Sequence, residues 1–254
     1  MTLPITPSFR LEGRRAIVTG AGRGIGAGLA NALAMAGAAV TLASRTLAEV
    51  EAVSQEIAAA GGRAVAVSLD VLDLAAVETF FAASEAFDIL VNNAGCNRPR
   101  SMLDVSIVDY DAVLDLNLKS AFFVSQACAR KMIHEGIAGS LIHVGSQMGH
   151  VGGANRALYC ASKWGMEGMS KAFALDLASH GIRSNTIAPT FVDTPMTRPF
   201  FEDQSFLDSV LDKIKLGRLG RVEDLMGSVV FLASDASALI TGTSIVIDGG
   251  WTAD

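Results

Sequence analysis

Tyr159 and Lys163 stand four residues apart at the start of a helical pattern running from Leu158 to His180. That spacing puts both side chains on one helix face. A free tyrosine, with a pKa of about 10, is a poor base at neutral pH. A neighbouring ammonium favours the phenolate and brings that value down. The pair can therefore take a proton from an oxygen or return one. Ser146 follows the apolar run Leu141–Val144, and its hydroxyl can donate to an oxygen on which negative charge develops. Asn117, within Asp115–Leu118, is a poor residue for the middle of a helix. Each also has a plain structural reading: a turn serine, a satisfied interior amide, a Tyr–Lys spacing met by chance.

A second cluster lies near the start of the chain. The run Ala16–Val18 ends in Thr19-Gly20-Ala21-Gly22-Arg23-Gly24-Ile25-Gly26, and an Ala-rich helical stretch follows at once. Glycines here permit a tight turn, close approach of backbone to a pyrophosphate, and close packing of helix on strand. The free N–H groups of a helix start attract an anion. Alone, such a turn indicates only a nucleotide or a Gly-rich connection.

These groups need a frame, and the periodicity supplies one. Short apolar runs (16–18, 40–42, 64–67, 89–91, 141–144, 184–187, 244–247) alternate with helical stretches (25–35, 47–60, a helix through Val77 and Phe81, 108–134, 158–180, 225–233). Thr46 and Glu49 form a capping-box pattern at the second helix. The alternation predicts an α/β fold: a single-domain, Rossmann-type, doubly wound parallel sheet of about seven strands with helices on both faces. Residues 1–12 read as an N-terminal tail and 13–254 as one catalytic domain. The least regular part, 191–219, with Pro195, Pro199 and a helical patch at 206–214, reads as a substrate loop or lid.

Composition narrows the function classes. Half of the 254 residues are hydrophobic and 18% are charged, which suits a large core. A net charge of −6 argues against nucleic acid as a partner. No apolar stretch is long enough to span a membrane, and no secretory signal opens the chain, so a cytoplasmic protein is expected. Cys96, Cys128 and Cys160 do not form a disulfide framework. The four histidines, His134, His143, His150 and His180, form no close ligand pair, so no metal is expected.

The glycine turn has the spacing T-G-x-x-x-G-x-G. With Asn92-Asn93-Ala94-Gly95, Asn117, Ser146 and Tyr159-x-x-x-Lys163 following in order, the chain resembles the short-chain dehydrogenase/reductase family over nearly its whole length. The texture is similar to gluconate and polyol dehydrogenases and to 3-oxoacyl-carrier-protein reductases, notably at Leu216–Gly220 and Asp248–Trp251. The resemblance implies a catalytic set of Asn117, Ser146, Tyr159 and Lys163. In it, Asn117 sits at a helix irregularity and holds a relay water, and Lys163 also binds the nicotinamide ribose. It implies a coenzyme site of Gly20, Gly22, Arg23, Gly24, Ile25, Gly26, Ser44, Arg45, Asp70, Val71, Asn93, Ala94, Gly95, Pro189, Thr190, Val192 and Thr194, with Tyr159 and Lys163. Asp70 is expected at the adenine amino group. The chain departs from the family in carrying Pro189-Thr190 where Pro-Gly is usual, so this loop is expected to run differently.

Where NAD-using relatives carry an Asp, this chain has Ser44, followed by Arg45. A carboxylate there would repel a 2′-phosphate, whereas Arg45, aided by Arg23, can grip one. NADP(H) is therefore favoured, with NAD(H) left open. Expected substrate contacts are Ser146, Met148, Asn155 and Tyr159, in a pocket also lined by Gln147, His150, the Gly152–Asn155 loop and parts of 191–216, with Gln147, His150, Asn155 and Arg156 as its polar candidates. Expected chemistry is hydride transfer between the coenzyme and a secondary alcohol or ketone of a sugar, polyol or other small hydroxy compound. A 3-oxoacyl-thioester reductase is the alternative, and a non-catalytic nucleotide sensor or scaffold the rival of another class. The helices carrying Phe122, Phe123, Met166 and Phe173 are apolar on more than one stripe, which suggests subunit contacts, and the family resemblance implies a homotetramer.

Overall fold

The computed structural model describes residues 2–253. Its centre is a sheet of seven parallel strands: β1 (Arg15–Thr19), β2 (Ala39–Ser44), β3 (Arg63–Ser68), β4 (Ile89–Asn92), β5 (Ser140–Val144), β6 (Arg183–Pro189) and β7 (Ser244–Ile247). They lie in the order β3-β2-β1-β4-β5-β6-β7. Eight helices connect or cover them: α1 (Gly24–Met35), α2 (Leu47–Ala59), α3 (Leu74–Ala83), α4 (Ile107–Leu114), α5 (Ser120–His134), α6 (Ala157–Leu177), α7 (Gln204–Lys213) and α8 (Glu223–Ala233).

The alternation of side chains along each strand explains the layers. Ala16 and Val18 of β1 join Val40, Leu42, Ile89 and Val91 in a core with α1 and α8. Ile17, between them, faces the other way and joins Leu90, Leu141, Phe81, Val124 and Met132 beneath α3 and α5. Central strands buried on both faces are the mark of a doubly wound sheet. Phe81, Leu90 and Met132 are fully buried, each burial contributing roughly 1.5–3 kcal/mol.

The expected 108–134 helix is not continuous. A π-helical turn, Asp115–Lys119, separates α4 from α5, with the Ser120 N–H reaching back to the Asp115 carbonyl. The expected capping box at α2 does not form. Thr46 is the N-cap but makes no side-chain cap bond, and the Glu49 carboxylate turns instead toward Arg23, 3.7 Å away. An arginine across the groove holds that carboxylate in place of the backbone N–H group a capping box would use. Residues 9–12 of the expected tail are anchored: Phe9 stacks on Phe231 with centroids 6.0 Å apart. Leu11 is buried, with its N–H on the Ala36 carbonyl.

Candidate active site

The strand order reverses between β1 and β4, and loops leaving their carboxyl ends diverge there. That switch point is where open α/β sheets bind ligands. A cavity of ≈ 350 Å³ occupies it. One end is the glycine turn. Gly20 and Gly24 adopt φ of +63° and +57°, angles that disfavour any side chain. A Cβ on Gly26 would collide with the Gly20 carbonyl and the Asn93 amide, so α1 starts flush against the strand exits. Arg23, the N-cap of α1, makes no side-chain cap bond, which leaves the first N–H groups of the helix for an anion. The cradle fits a pyrophosphate: bare backbone, a helix start, and room that a Cβ would close.

The exits of β1 and β4 are stitched together at this turn. Thr19 Oγ1 accepts from the N–H groups of Asn93 and Ala94 at 3.0 and 3.2 Å. Asn93 Nδ2 donates to the Thr19 and Gly20 carbonyls at 2.9 and 3.0 Å. Asn92, its neighbour, points into the core, where Nδ2 donates to Ser125 Oγ and to His143 Nδ1. The doubled asparagine is thus one residue per side of the strand.

Gly20, Gly22, Arg23, Gly24, Ile25 and Gly26 share this cavity with Ser44, Arg45, Asp70, Val71, Asn93, Ala94 and Gly95. Ser44 Oγ is engaged with the Thr46 backbone, and one Asp70 oxygen accepts the Leu72 N–H at 3.0 Å. Arg45 has no acidic partner among the described residues, whereas Arg23 faces Glu49. Glu49 and Asn97 also line the cavity. Neither was expected, because only the folded chain shows Glu49 abandoning its cap.

The other end holds Ser146, Tyr159 and Lys163. Lys163 is buried, and its Nζ donates to the Val144 carbonyl at 2.7 Å. Two of its three N–H groups remain for other acceptors. The ammonium lies 5.5 Å from the Tyr159 ring centroid. Burial lowers the Lys163 pKa to about 8, with Glu167 pulling the other way. Burial raises the Tyr159 pKa, opposed by the Ser146 hydroxyl and the Arg156 charge. Ser146 Oγ donates to Gln147 Oε1 at 2.9 Å and accepts the Met148 N–H at 3.1 Å.

Asn117 does not line the cavity. It sits, fully buried, in the π-helical turn. Its Nδ2 donates to the Cys96 carbonyl and to Ser162 Oγ, and its Oδ1 accepts the Cys96 N–H at 2.8 Å. The side chain therefore ties the loop after β4 to α6, one residue from Lys163.

Pro189, Thr190, Val192 and Thr194 border the cavity at the exit of β6. Thr190 keeps a negative φ, and its N–H bonds the Ile247 carbonyl, so threonine is accommodated without strain. Its Oγ1 is buried without a partner, as is Asn97 Oδ1. Met148 borders both this cavity and an adjoining vestibule, while Asn155 lies in the vestibule alone, at φ 59°. His150 lines neither. It turns away to Ser244 Oγ at 3.0 Å, beside the Glu167 carboxylate at 3.7 Å. The buried Glu167 carboxylate, one turn along α6 from Lys163, and Ser244 of β7 draw its imidazole away from the pocket.

A nucleotide cradle at the switch point, with a tyrosine–lysine pair at its other end, defines a Rossmann-type domain equipped for acid–base chemistry beside a dinucleotide. A family model described as enoyl-(acyl carrier protein) reductase matches residues 20–252. The D-erythrulose reductase of Gallus gallus is 38% identical, over 96% of this chain and 98% of that protein. The 2-dehydro-3-deoxy-D-gluconate 5-dehydrogenase of Escherichia coli is also 38% identical, over 98% of this chain and 99% of its own. Among solved structures, a gluconate 5-dehydrogenase from Burkholderia cenocepacia in complex with NADP and tartrate superimposes with a TM-score of 0.92. It is 36% identical, over 97% of this chain and 98% of that one. The chain belongs to the short-chain dehydrogenase/reductase family, and it is an NAD(P)-dependent oxidoreductase of hydroxy compounds.

Proposed function

We propose that this protein moves a hydride between NADP(H) and the carbinol or carbonyl carbon of a small sugar-like or polyol-like compound. One observation carries the reading: Ser146, Tyr159 and Lys163 close one end of the cavity whose other end is the glycine turn. A bound nicotinamide dinucleotide would supply or accept the hydride. The chain's own residues do the rest. Tyr159 holds the proton at its phenolic oxygen, giving it to a ketone oxygen or taking it from an alcohol. The Ser146 hydroxyl and the Arg156 charge favour the phenolate, and Lys163 offers its two free N–H groups to ribose hydroxyls. Ser146 donates to the substrate oxygen once its bond to Gln147 turns over, where negative charge develops. Asn117 positions the floor behind Lys163 through Ser162.

Unpaired Arg45 supports NADP(H) over NAD(H), since a guanidinium grips a phosphate bidentately. NADP bound in the Burkholderia enzyme points the same way. The relatives' names, an erythrulose reductase and a dehydro-deoxygluconate dehydrogenase, support a polyhydroxylated substrate. We place residues 13–254 in one catalytic domain, with 191–219 as the substrate-side loop. Exposed Trp164 and Leu175 on α6, and partly exposed Phe122 and Phe123 on α5, support a homotetramer. Among the described residues no helix is long and apolar enough to cross a membrane, and we place the protein in the cytoplasm.

The test is a titration with NADPH and NADH, followed by turnover of sugars, sugar acids, polyols and 3-oxoacyl thioesters. Tyr159→Phe should bind NADPH as the natural protein does and lose turnover by about 10³-fold or more. Turnover that survives Tyr159→Phe would sink the mechanism. Preferential turnover of a thioester would move the substrate class to acyl chains.

A further inference from the structure

The catalytic cavity opens outward into a vestibule of ≈ 810 Å³, and Arg156 borders both. Its side chain needs an explanation that the coenzyme does not give. Arg156 is 7% exposed. Its guanidinium lies over the Phe200 ring, 5.6 Å from the centroid. It has no carboxylate and no hydrogen-bond partner among the described residues. Its nitrogens face the open space of cavity and vestibule rather than being sealed in like Thr190 Oγ1 and Asn97 Oδ1, so a ligand entering there meets an unpaired, half-desolvated charge.

The other cations near the vestibule are answered. Arg98 and Arg100 both pair with Asp109 at 3.1 Å. Lys213 is exposed and lies over the Trp251 ring at 5.2 Å. The two carboxylates of the vestibule do not answer Arg156. Asp203 is engaged in capping α7, accepting from Ser205 and Phe206. Asp104 is exposed at the outer rim.

The position is also built. Asn155, in the left-handed region at φ 59°, turns the chain into α6, and Arg156 is the N-cap. The Arg156 N–H bonds the Gly153 carbonyl at 3.2 Å. Gly153 leaves room for the arginine stem, since a Cβ there would sit 3.3 Å from Arg156 Cγ and 3.1 Å from Met148 Cε. Residues 156, 159 and 163 fall at i, i+3 and i+7, one stripe of α6. The stripe runs from guanidinium to phenol to ammonium: the last two carry the proposed chemistry, and the first lies one turn outward, toward the vestibule.

Resting on the hydroxy-compound reading above, we infer that Arg156 receives the carboxylate of the substrate, so that the protein acts on hydroxy acids or oxo acids in preference to neutral polyols. A guanidinium fork matches a carboxylate bidentately. Desolvation already lowers the Arg156 pKa, so an incoming carboxylate would recover what burial took away. The anion would sit about one helical turn from Tyr159. That distance orients a short open-chain acid with its carbinol toward the phenol.

The experiment measures binding of gluconate and tartrate, and of the matching neutral polyols glucitol and threitol, to the protein saturated with NADPH. It uses the natural chain, Arg156→Gln and Arg156→Lys, with turnover and melting temperature followed in parallel. At least one acid should bind the natural protein more tightly than its matching polyol. Arg156→Gln should cut that preference about 50-fold, and Arg156→Lys should restore part of it. The acid should raise the melting temperature of the natural protein and not that of Arg156→Gln. The variant should melt no lower than the natural chain, since it loses an unpaired charge. Equal weakening of acid and polyol in Arg156→Gln, with an alkaline shift of the pH profile, would overturn the inference and leave Arg156 serving only Tyr159. Tighter binding of glucitol 6-phosphate than of either acid would overturn the carboxylate in favour of a phosphate. Failure to bind NADPH would bring down the functional reading itself. Polyol turnover without any acid preference would bring down this inference alone.

Discussion

The two ends of the cavity are made in different ways. The coenzyme end is made of backbone. Its surfaces are the exits of β1, β2 and β4 and the start of α1, fixed by the ladder of a parallel sheet and by the Asn93 stitches to Thr19 and Gly20. The substrate end is made of side chains. Phe191, Phe200, Phe201 and Phe206 pack with one another and with Trp251 near the C-terminus through ring contacts of 5.7–6.5 Å, on a segment whose two ends meet in a parallel bridge, Val192 to Gly220. A backbone surface tolerates almost no substitution and recognises what all members of a chemical class share. A side-chain surface tolerates substitution and can be retuned, which suits the part of a substrate that varies.

That contrast predicts a steep hierarchy of effects. The largest should come from Gly26→Ala. The added methyl meets the Gly20 carbonyl and the Asn93 amide, neither of which can give way without opening the sheet exit. Coenzyme affinity should fall by about 10³-fold or more, read by NADPH titration. Gly22→Ala is the control. Its methyl meets the Glu49 side chain, at Oε2 and at Cβ 2.8 Å away, rather than the backbone of the sheet exit, so a small shift of α2 relieves it and it should cost less. Equal losses would erase the distinction between the two kinds of surface.

The sheet should also fail first in acid. His143 is buried, accepting from Asn92 at Nδ1 and facing Ser184 at Nε2, which describes the neutral ring with its proton on Nε2. Burial, and then the Lys163 charge, hold its pKa down to about 3 against an ordinary 6.5. The folded value lies below the unfolded one. Stability from this site is therefore complete above pH 6.5 and is lost as pH falls from there toward 3, by several kcal/mol in total. Denaturant melts at pH 7.5 and 5.0 should show the loss, and His143→Asn should flatten it.

Legibility followed the same division. Every strand and nearly every helix was readable, because short apolar runs against stretches of period 3.6 are a property of neighbouring residues. The glycine turn was readable because backbone constraints select residue types directly. Asn117, a poor residue for a helix middle, signalled the break in its helix, and its bonds to Cys96 and Ser162 show only in the fold. What could not be read was partnership across the fold. Thr46 and Glu49 matched a capping box locally, yet Arg23 took the carboxylate. His150 looked like a pocket residue, and Glu167 and Ser244 drew it away. Arg156 reads from the sequence as a polar pocket residue, but that it stands there without a carboxylate shows only in the fold.

Arg45→Glu should have the next effect. Arg45 has no carboxylate beside it, so its removal exposes a 2′-phosphate to an uncompensated negative charge. NADPH affinity should drop about 100-fold, with NADH affinity within a few fold of its starting value. Arg23→Ala should do less, because Glu49 already occupies that guanidinium. A larger loss for Arg23 than for Arg45 would transfer the phosphate grip to the glycine turn.

The smallest effect should come from the substrate end. Phe206 is partly buried on α7 and touches the rings of Phe191, Phe200 and Phe201. Phe206→Ala removes three ring contacts worth roughly 0.5–1.5 kcal/mol each, but neighbouring aromatics can close part of the gap. KM for substrate should rise a few fold, while kcat and NADPH affinity hold, because neither Tyr159 nor Lys163 is among this ring's contacts and Arg156 meets it only through Phe200. The melting temperature should fall by only a few degrees. A collapse of kcat here would mean that the aromatic cluster fixes the geometry of Tyr159 as firmly as the sheet fixes the glycine turn, and the two ends would then be one rigid unit.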